Sequence, residues 1–487
     1  MNYLAFDLGG SSGRLMLGTF EDGKLSLRTV HRFENGPMEE GGALIWDIDR
    51  IVSELYAGIE KAVRETGDNI DGIGFDSFCN DYVLIGTDGE RLAPAYCYRD
   101  ARTLRNEASM YGIMSKEALY MVNGNQNAPF NTLNQLNAAF SEGQGTIIAE
   151  AYKALFMSDY FVYLLTGKLQ TEYTTASVTQ MYDYGKGDWS DEILDRYGIR
   201  RDLFAPFAVP GTLAGHTSEE FNRKIGTKGF PVYTVCQHDT ASAFLASKGG
   251  PDTGIISTGT WCIAGLETEG PVITREGFKI NAANEGGFPG AHHRLLKNVM
   301  GTWILQEIRR ELNGYGIDLS YGDMEDLALK RKDTKGYIDV DDPRLYLPGD
   351  MISKVRTNLH AKTGQITMNM GSLVFIVYKS LAFKYRLIFD QLEALTGNKL
   401  THINMIGGGI KSPLMCSLTA DITGLPVTAG PEDASCAGNI LAQMAASGQI
   451  ASIEEGRQII SGSFPAKTYG PSQENIYDGE YLKFLRH

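Results

Sequence analysis

No two cysteines in this 487-residue chain stand at C-x-x-C spacing; Cys79, Cys97, Cys236, Cys262, Cys416 and Cys436 are scattered singly. Neither a structural zinc site nor a dithiol redox motif is signalled, and buried free thiols in a reducing compartment are expected. Long apolar runs are missing too: the run 373–378 falls far short of the about 18 residues a membrane helix requires. Positive charge is in deficit. A net charge of −14 argues against a broad nucleic-acid or anionic-membrane surface, while leaving room for a phosphorylated small molecule held by local N–H groups and a metal ion. There is no low-complexity tract and no charge run. The chain opens directly on a strand pattern, without a basic n-region or cleavage site, so a cytoplasmic protein is expected.

Two familiar phosphate loops are absent from the first twenty residues. A dinucleotide loop needs G-x-G-x-x-G running into a helix, but residue 8 is leucine and a strand pattern follows. A P-loop needs Lys-Ser/Thr after its last glycine, whereas Gly13 precedes Arg14-Leu15. What is there is a strand over 3–7, a turn Gly9-Gly10-Ser11-Ser12-Gly13 and a second strand over 14–20. Such a turn lets backbone N–H groups converge on an anion without Cβ obstruction, and Asp7 ends the first strand beside it. The alternative is an ordinary glycine-rich hairpin with Asp7 solvated.

At this length two domains of roughly 240 residues are expected, or three smaller ones. A third strand over 25–33, a helix over 49–66 and a strand over 70–75 that resumes at 82–86 make a mixed α/β pattern. Residues 98–140 read as inserted loop and helix. A helix over 159–165 and a strand over 229–236 follow, the latter opening into a helix at Gln237-His238-Asp239-Thr240. Residues 254–266 then repeat the opening theme, strand, turn (Thr258-Gly259-Thr260), strand. Two such clasps suggest duplicated α/β halves, each offering one clasp to a shared cleft, with a boundary near 245–253. Beyond it come a long helix over 373–395, a strand over 403–406 ending in Gly407-Gly408-Gly409, and helices over 413–423 and 434–446. The triple glycine permits close approach of a flat ligand or phosphate; a plain strand–helix turn is the alternative.

Asp7-Leu8-Gly9-Gly10-Ser11-Ser12-Gly13-Arg14, Tyr98-Arg99-Asp100-Ala101-Arg102-Thr103, Pro129-Phe130-Asn131-Thr132, Leu164-Leu165-Thr166-Gly167, His238-Asp239-Thr240, Gly259-Thr260-Trp261 and Gly407-Gly408-Gly409 occur in this order. In them the chain resembles the FGGY carbohydrate kinases from residue 3 to about 450. Through Asn284-Glu285-Gly286-Gly287, Leu296-Lys297-Asn298-Val299-Met300-Gly301 and Asp341-Asp342-Pro343-Arg344 it is most similar to the members acting on L-rhamnulose. The resemblance implies two actin-like (ribonuclease H-like) α/β domains with a cleft between them, 1–247 on the sugar and phosphate side and 248–487 on the nucleotide side. It implies ATP-dependent phosphorylation of the C1 hydroxyl of a deoxyketose, L-rhamnulose foremost, with L-fuculose, xylulose or another ketose as alternatives. A non-catalytic sugar or nucleotide sensor and an actin-like structural ATPase are the readings of a different class.

By the same resemblance Asp239 would be the catalytic base; its bland alternative is a helix N-cap. Cys79, Asp81, Gln237, His238, Thr240 and Asn298 would contact the sugar, although His238 also reads as a structural histidine. Ser11, Ser12, Gly13 and Arg14 would cradle the phosphates. Thr260, Gln306, Gly408 and Gly409 would place ATP, and Asp7 would face Mg2+ through water. The family pattern Trp-Gly-Val-Asp is here Phe78-Cys79-Asn80-Asp81, putting a thiol where a glycine lies close to the sugar. Expected partners are the small-molecule sugar and ATP, with no nucleic acid and no membrane; a homodimer is left open.

Overall fold

The computed structural model describes residues 1–289, 293–472 and 476–486. The elements that matter here begin with β1 (Asn2–Leu8), β2 (Ser12–Glu21), β3 (Lys24–Glu34), α1 (Ile48–Thr66) and β4 (Gly72–Ser77). Next come β5 (Tyr82–Ile85), β6 (Lys153–Phe156), α2 (Met157–Thr166), β7 (Thr212–His216), β8 (Pro231–Thr234) and α3 (Asp239–Leu245). β9 (Thr253–Thr258), β10 (Trp261–Thr268), β11 (His293–Met300), α4 (Trp303–Gly314) and α5 (Met370–Thr396) follow. The last are β12 (His402–Ile406), α6 (Pro413–Thr423), β13 (Val427–Ala429), α7 (Ala434–Ala446) and β14 (Lys467–Tyr469).

Residues divide into two compact units. The first joins Met1–Ala246 with Thr268–Leu295 and Ala434–Ser463; the second joins Ser247–Glu267, Leu296–Asp433 and Phe464–His487. The first unit is built on a mixed sheet ordered β7-β8-β4-β1-β2-β3. β1 pairs antiparallel with β2 and parallel with β4, in a register that sets Asp7 beside Asp76. Apolar residues at Ile51, Leu55, Ile59 and Val63 bury one stripe of α1, which Asp47 caps at its start and left-handed Gly67 (φ 62°) ends. Phe6 meets Phe161 of α2 edge-on, with ring centroids 5.4 Å apart, so the core lies directly beneath the sheet.

Two expectations change here. Residues 82–85 do not resume β4; they pair antiparallel with β6 as a separate ribbon. Helix α7, read as part of the second half, belongs to the first unit. Its small and amide-bearing face explains why: Gln443 donates to the Leu4 carbonyl at 2.8 Å, and Asn439 donates to Asp76 at 2.6 Å. Gly438 lets the Ser242 backbone of α3 approach so closely that a Cβ would stand 1.8 Å from its carbonyl oxygen.

The second unit repeats the strand–turn–strand opening. β9 pairs antiparallel with β10 and parallel with β12, and β13 and β14 extend that edge. α5 is buried on nearly all sides over Leu373–Phe383, as expected of a helix inside a core. Among the described residues no helix is long and apolar enough to cross a membrane.

Candidate active site

Three strand ends of the first unit bring their acids together. Asp7 and Asp76 end β1 and β4 side by side, and His238 bridges to Ser77 just beyond β8, so that Asp239 opens α3 at the same edge. Asp7 is held by Arg14 (2.9 Å) and by the Ser435 hydroxyl (2.8 Å) at the first turn of α7, where the helix dipole favours an anion. Asp76 is fully buried; Asn439 serves one oxygen and the other has no hydrogen-bond partner. Burial and the neighbouring Asp7 carboxylate hold Asp76 well above the usual carboxylate range.

Asp239 is pushed up to about 7, chiefly by the surrounding protein and then by Asp7. Its side chain nevertheless keeps 35% of its surface, so the carboxyl is reachable. One oxygen accepts from the Thr240 backbone N–H (2.5 Å) and hydroxyl (3.1 Å), which fixes its direction and leaves the other oxygen uncommitted to Thr240. His238 makes no side-chain cap, and its ring lies 3.5 Å from Asp239 through Nε2. On the other side its Nδ1 faces Arg294 at 3.3 Å and Glu285 at 3.4 Å. Burial and the Arg294 charge hold the imidazole pKa well below its ordinary value, so the ring is neutral. The Cys79 thiol shares this enclosure: burial, then the Glu285 and Asp239 carboxylates, raise its pKa well above normal.

Two of the expected sugar contacts, Asp81 and Thr240, have hydrogen-bond partners within the protein. Asp81 is fully buried and accepts from Trp46 (2.6 Å), Gln135 (2.7 Å) and the Tyr98 N–H (3.0 Å), so it ties loops together. Gln237 is fully buried; its backbone carbonyl accepts from the Ser77 N–H at 2.9 Å, while neither side-chain amide atom has a hydrogen-bond partner among the described residues. Thr240 orients Asp239. In the first clasp Ser11 is exposed and Ser12 half-buried, but the Gly9 N–H is spent on the Ser12 carbonyl at 2.9 Å. Glycine is required by close packing there: a Cβ at Gly13 would stand 2.1 Å from the Phe33 ring, and one at Gly10 would stand 2.6 Å from the Tyr98 hydroxyl. Arg14 reaches Asp7 and Ser435.

In the second unit Thr260 and Gln306 do come together, at 3.3 Å, with Gln306 also donating to Thr302 at 3.0 Å. The glycine turn abuts the second clasp: a Cβ at Gly409 would stand 2.7 Å from that of Thr258, while Gly408 faces open space. Asn298 is half-buried on β11. Sequence reading passed over Asp76, Ser435, Asn439 and Arg294 as site residues. Asp76 had a signal, since Phe75-Asp76 ends its strand just as Phe6-Asp7 ends β1; the two α7 residues and Arg294 had none until tertiary contacts placed them.

Each unit is thus a mixed sheet opening on a strand–turn–strand clasp, and the first sets a reachable carboxylate at its strand ends. The family model for the N-terminal domain of the FGGY family of carbohydrate kinases matches residues 2–246, and that for its C-terminal domain matches 254–447. The chain belongs to the FGGY family of carbohydrate kinases. It is 37% identical over 484 residues to a rhamnulokinase of Ligilactobacillus salivarius, covering 99% of this chain and 97% of that one. To a rhamnulokinase of Bacillus subtilis it is 35% identical, covering 97% and 96%. A solved xylulose kinase from Lactobacillus acidophilus shares the fold at TM-score 0.84 and 18% identity, covering 100% of this chain and 97% of that one.

Proposed function

We propose that the chain transfers the γ-phosphoryl group of ATP to the C1 hydroxyl of L-rhamnulose, giving L-rhamnulose 1-phosphate. The reaction rests on the open Asp239 carboxyl, raised to about 7 at the edge shared by Asp7 and Asp76. The choice of sugar rests on 35–37% identity to rhamnulokinases over nearly the whole chain. Phosphoryl transfer passes through a loose transition state, so positioning and charge stabilisation carry most of the catalysis. Asp239 takes the hydroxyl proton as that oxygen bonds to phosphorus and ADP departs. His238, neutral and beside it, orients the sugar, with Cys79 and Asn298 as further contacts. Residues 1–247 serve the sugar and phosphates; in 248–487, Thr260, Gln306, Gly408 and Gly409 serve the nucleotide. The six free thiols suit a cytoplasmic enzyme.

Among the described residues no three ligating side chains form a ready-made metal cage. Mg2+ needs none, because it keeps several waters and binds through one or two carboxylates and the phosphates. The orphaned buried oxygen of Asp76 beside Asp7 fits that donor set, and Asp7 would hold the ion through water. The ion supplies neutralisation of phosphate charge.

Because Asp239 titrates near 7 and only its deprotonated form accepts a proton, kcat/KM is expected to fall tenfold per pH unit below about 7. A profile flat down to pH 5 would remove Asp239 from the role. A panel of L-rhamnulose, L-fuculose and xylulose in a coupled ADP-release assay is expected to favour L-rhamnulose. A preference for another ketose would move the substrate assignment, and turnover of none would end the catalytic reading. Cys79→Gly, which removes the thiol from the enclosure, is expected to change KM between ketoses more than it changes kcat.

A further inference from the structure

Arg294 is almost wholly buried, and its guanidinium is clamped on several sides. Nη2 pairs with Glu285 at 3.0 Å, Nε donates to the Gly286 carbonyl at 3.0 Å, and the group lies 5.7 Å above the Phe244 ring of α3. From that fixed seat Nη2 also donates to Nδ1 of His238 at 3.3 Å. An arginine has no acceptor and stays protonated, so the nitrogen it faces must present a lone pair.

We infer that Arg294 is a positioning residue which, by donating to Nδ1 of His238, keeps the imidazole proton on Nε2, the nitrogen that faces Asp239. The kinetic part of this rests on reading Asp239 as the base; the tautomer itself does not. Glu285 is the competitor, since its Oε2 lies 3.4 Å from the same Nδ1 and would accept from an Nδ1–H. That arrangement would set Nδ1–H against a guanidinium N–H, donor facing donor. With Nδ1 as acceptor, the guanidinium contact at 3.3 Å has the correct polarity and Glu285 keeps its ion pair with Arg294; the cost is an Nδ1 lone pair 3.4 Å from the Glu285 carboxylate. Other titratable groups that face this enclosure include Asp239 on α3, the Cys79 and Cys236 thiols and the Tyr173 and Tyr184 hydroxyls. A proton held at Nε2 gives the neutral ring a donor for the Asp239 carboxylate or for the sugar oxygen beside it.

The direct test is 15N NMR of histidine-labelled protein, the His238 signals being assigned by their loss in His238→Gln. In the unaltered protein Nδ1 is expected to show the unprotonated-type shift and Nε2 the protonated type from pH 6 to 9. In Arg294→Met, Glu285 is left without its cation, so Nδ1 is expected to gain a proton, whether by tautomer exchange or by charging of the ring. A proton already on Nδ1 in the unaltered protein, or an Nδ1 unchanged in Arg294→Met, overturns the inference. Should that variant fail to fold, Arg294→Lys keeps the charge but loses the planar fork that reaches Nδ1 of His238 and the Gly286 carbonyl together. It is expected to lose about tenfold in kcat alone but less than about twofold in a His238→Gln background, whose amide is a donor already. Equal losses in both backgrounds would mark Arg294 as merely structural and overturn the inference. Near-full turnover in Asp239→Asn would sink the base assignment while leaving the NMR result standing.

Discussion

Asp239→Asn is expected to lose about 10²- to 10⁴-fold in kcat while binding sugar and nucleotide with little change in KM. The substitution is nearly isosteric, and the amide oxygen still accepts from the Thr240 N–H and hydroxyl that aim the side chain. What disappears is the capacity to take a proton. The carboxyl is suited to that task because protein surrounds it and Asp7 repels its charge, so its pKa of about 7 lies near working pH. A base with an ordinary carboxylate pKa would be ionised but weak. Steady-state kinetics with L-rhamnulose, together with sugar binding measured by calorimetry, separates the loss of chemistry from a loss of binding. Turnover within a few-fold of the unaltered protein would mean that another group takes the proton.

Gly438→Ala is expected to destabilise the protein by about 1–3 kcal/mol or more and to lower kcat as well. The new methyl group would meet the Ser242 carbonyl oxygen at 1.8 Å, and backbone cannot turn aside as a side chain can. Helices α7 and α3 must separate, and α3 begins at Asp239. Gly462, in the helix Ile453–Ser463, is the control: a Cβ there meets nothing within 4 Å. Alanine at 462 is expected to be neutral or stabilising by up to about 1 kcal/mol, since glycine is a poor helix former. Urea midpoints of the two variants should therefore move in opposite directions or, for position 462, not move. Equal behaviour would show that the close approach at Gly438 is not rigid.

Local pattern was enough for much of this molecule. Helices over 49–66, 413–423 and 434–446 follow from apolar spacing and from stop signals such as Gly67 and Gly424, and the structure has them within a residue. The two clasps were visible because a glycine-rich turn between apolar runs has few other readings. Partnership across long separations was not visible. Tyr82–Ile85 alternates like a continuation of β4, and only the distant Lys153–Phe156 claims it. Asp81 sits in a motif rich in polar residues, but nothing in a one-dimensional pattern says that it accepts from Trp46. Arg294 and Glu285 became meaningful once folding had brought both to His238.

The seating of α7 on the sheet of the first unit also bears on how the protein is made. During translation β1 and β4 emerge well before α7, so Asp7 and Asp76 await Ser435 and Asn439, 428 and 363 residues further along the chain. A nascent chain stalled after residue 246 would therefore carry Asp239 on an uncovered sheet, and such half-made lobes are natural clients for chaperones.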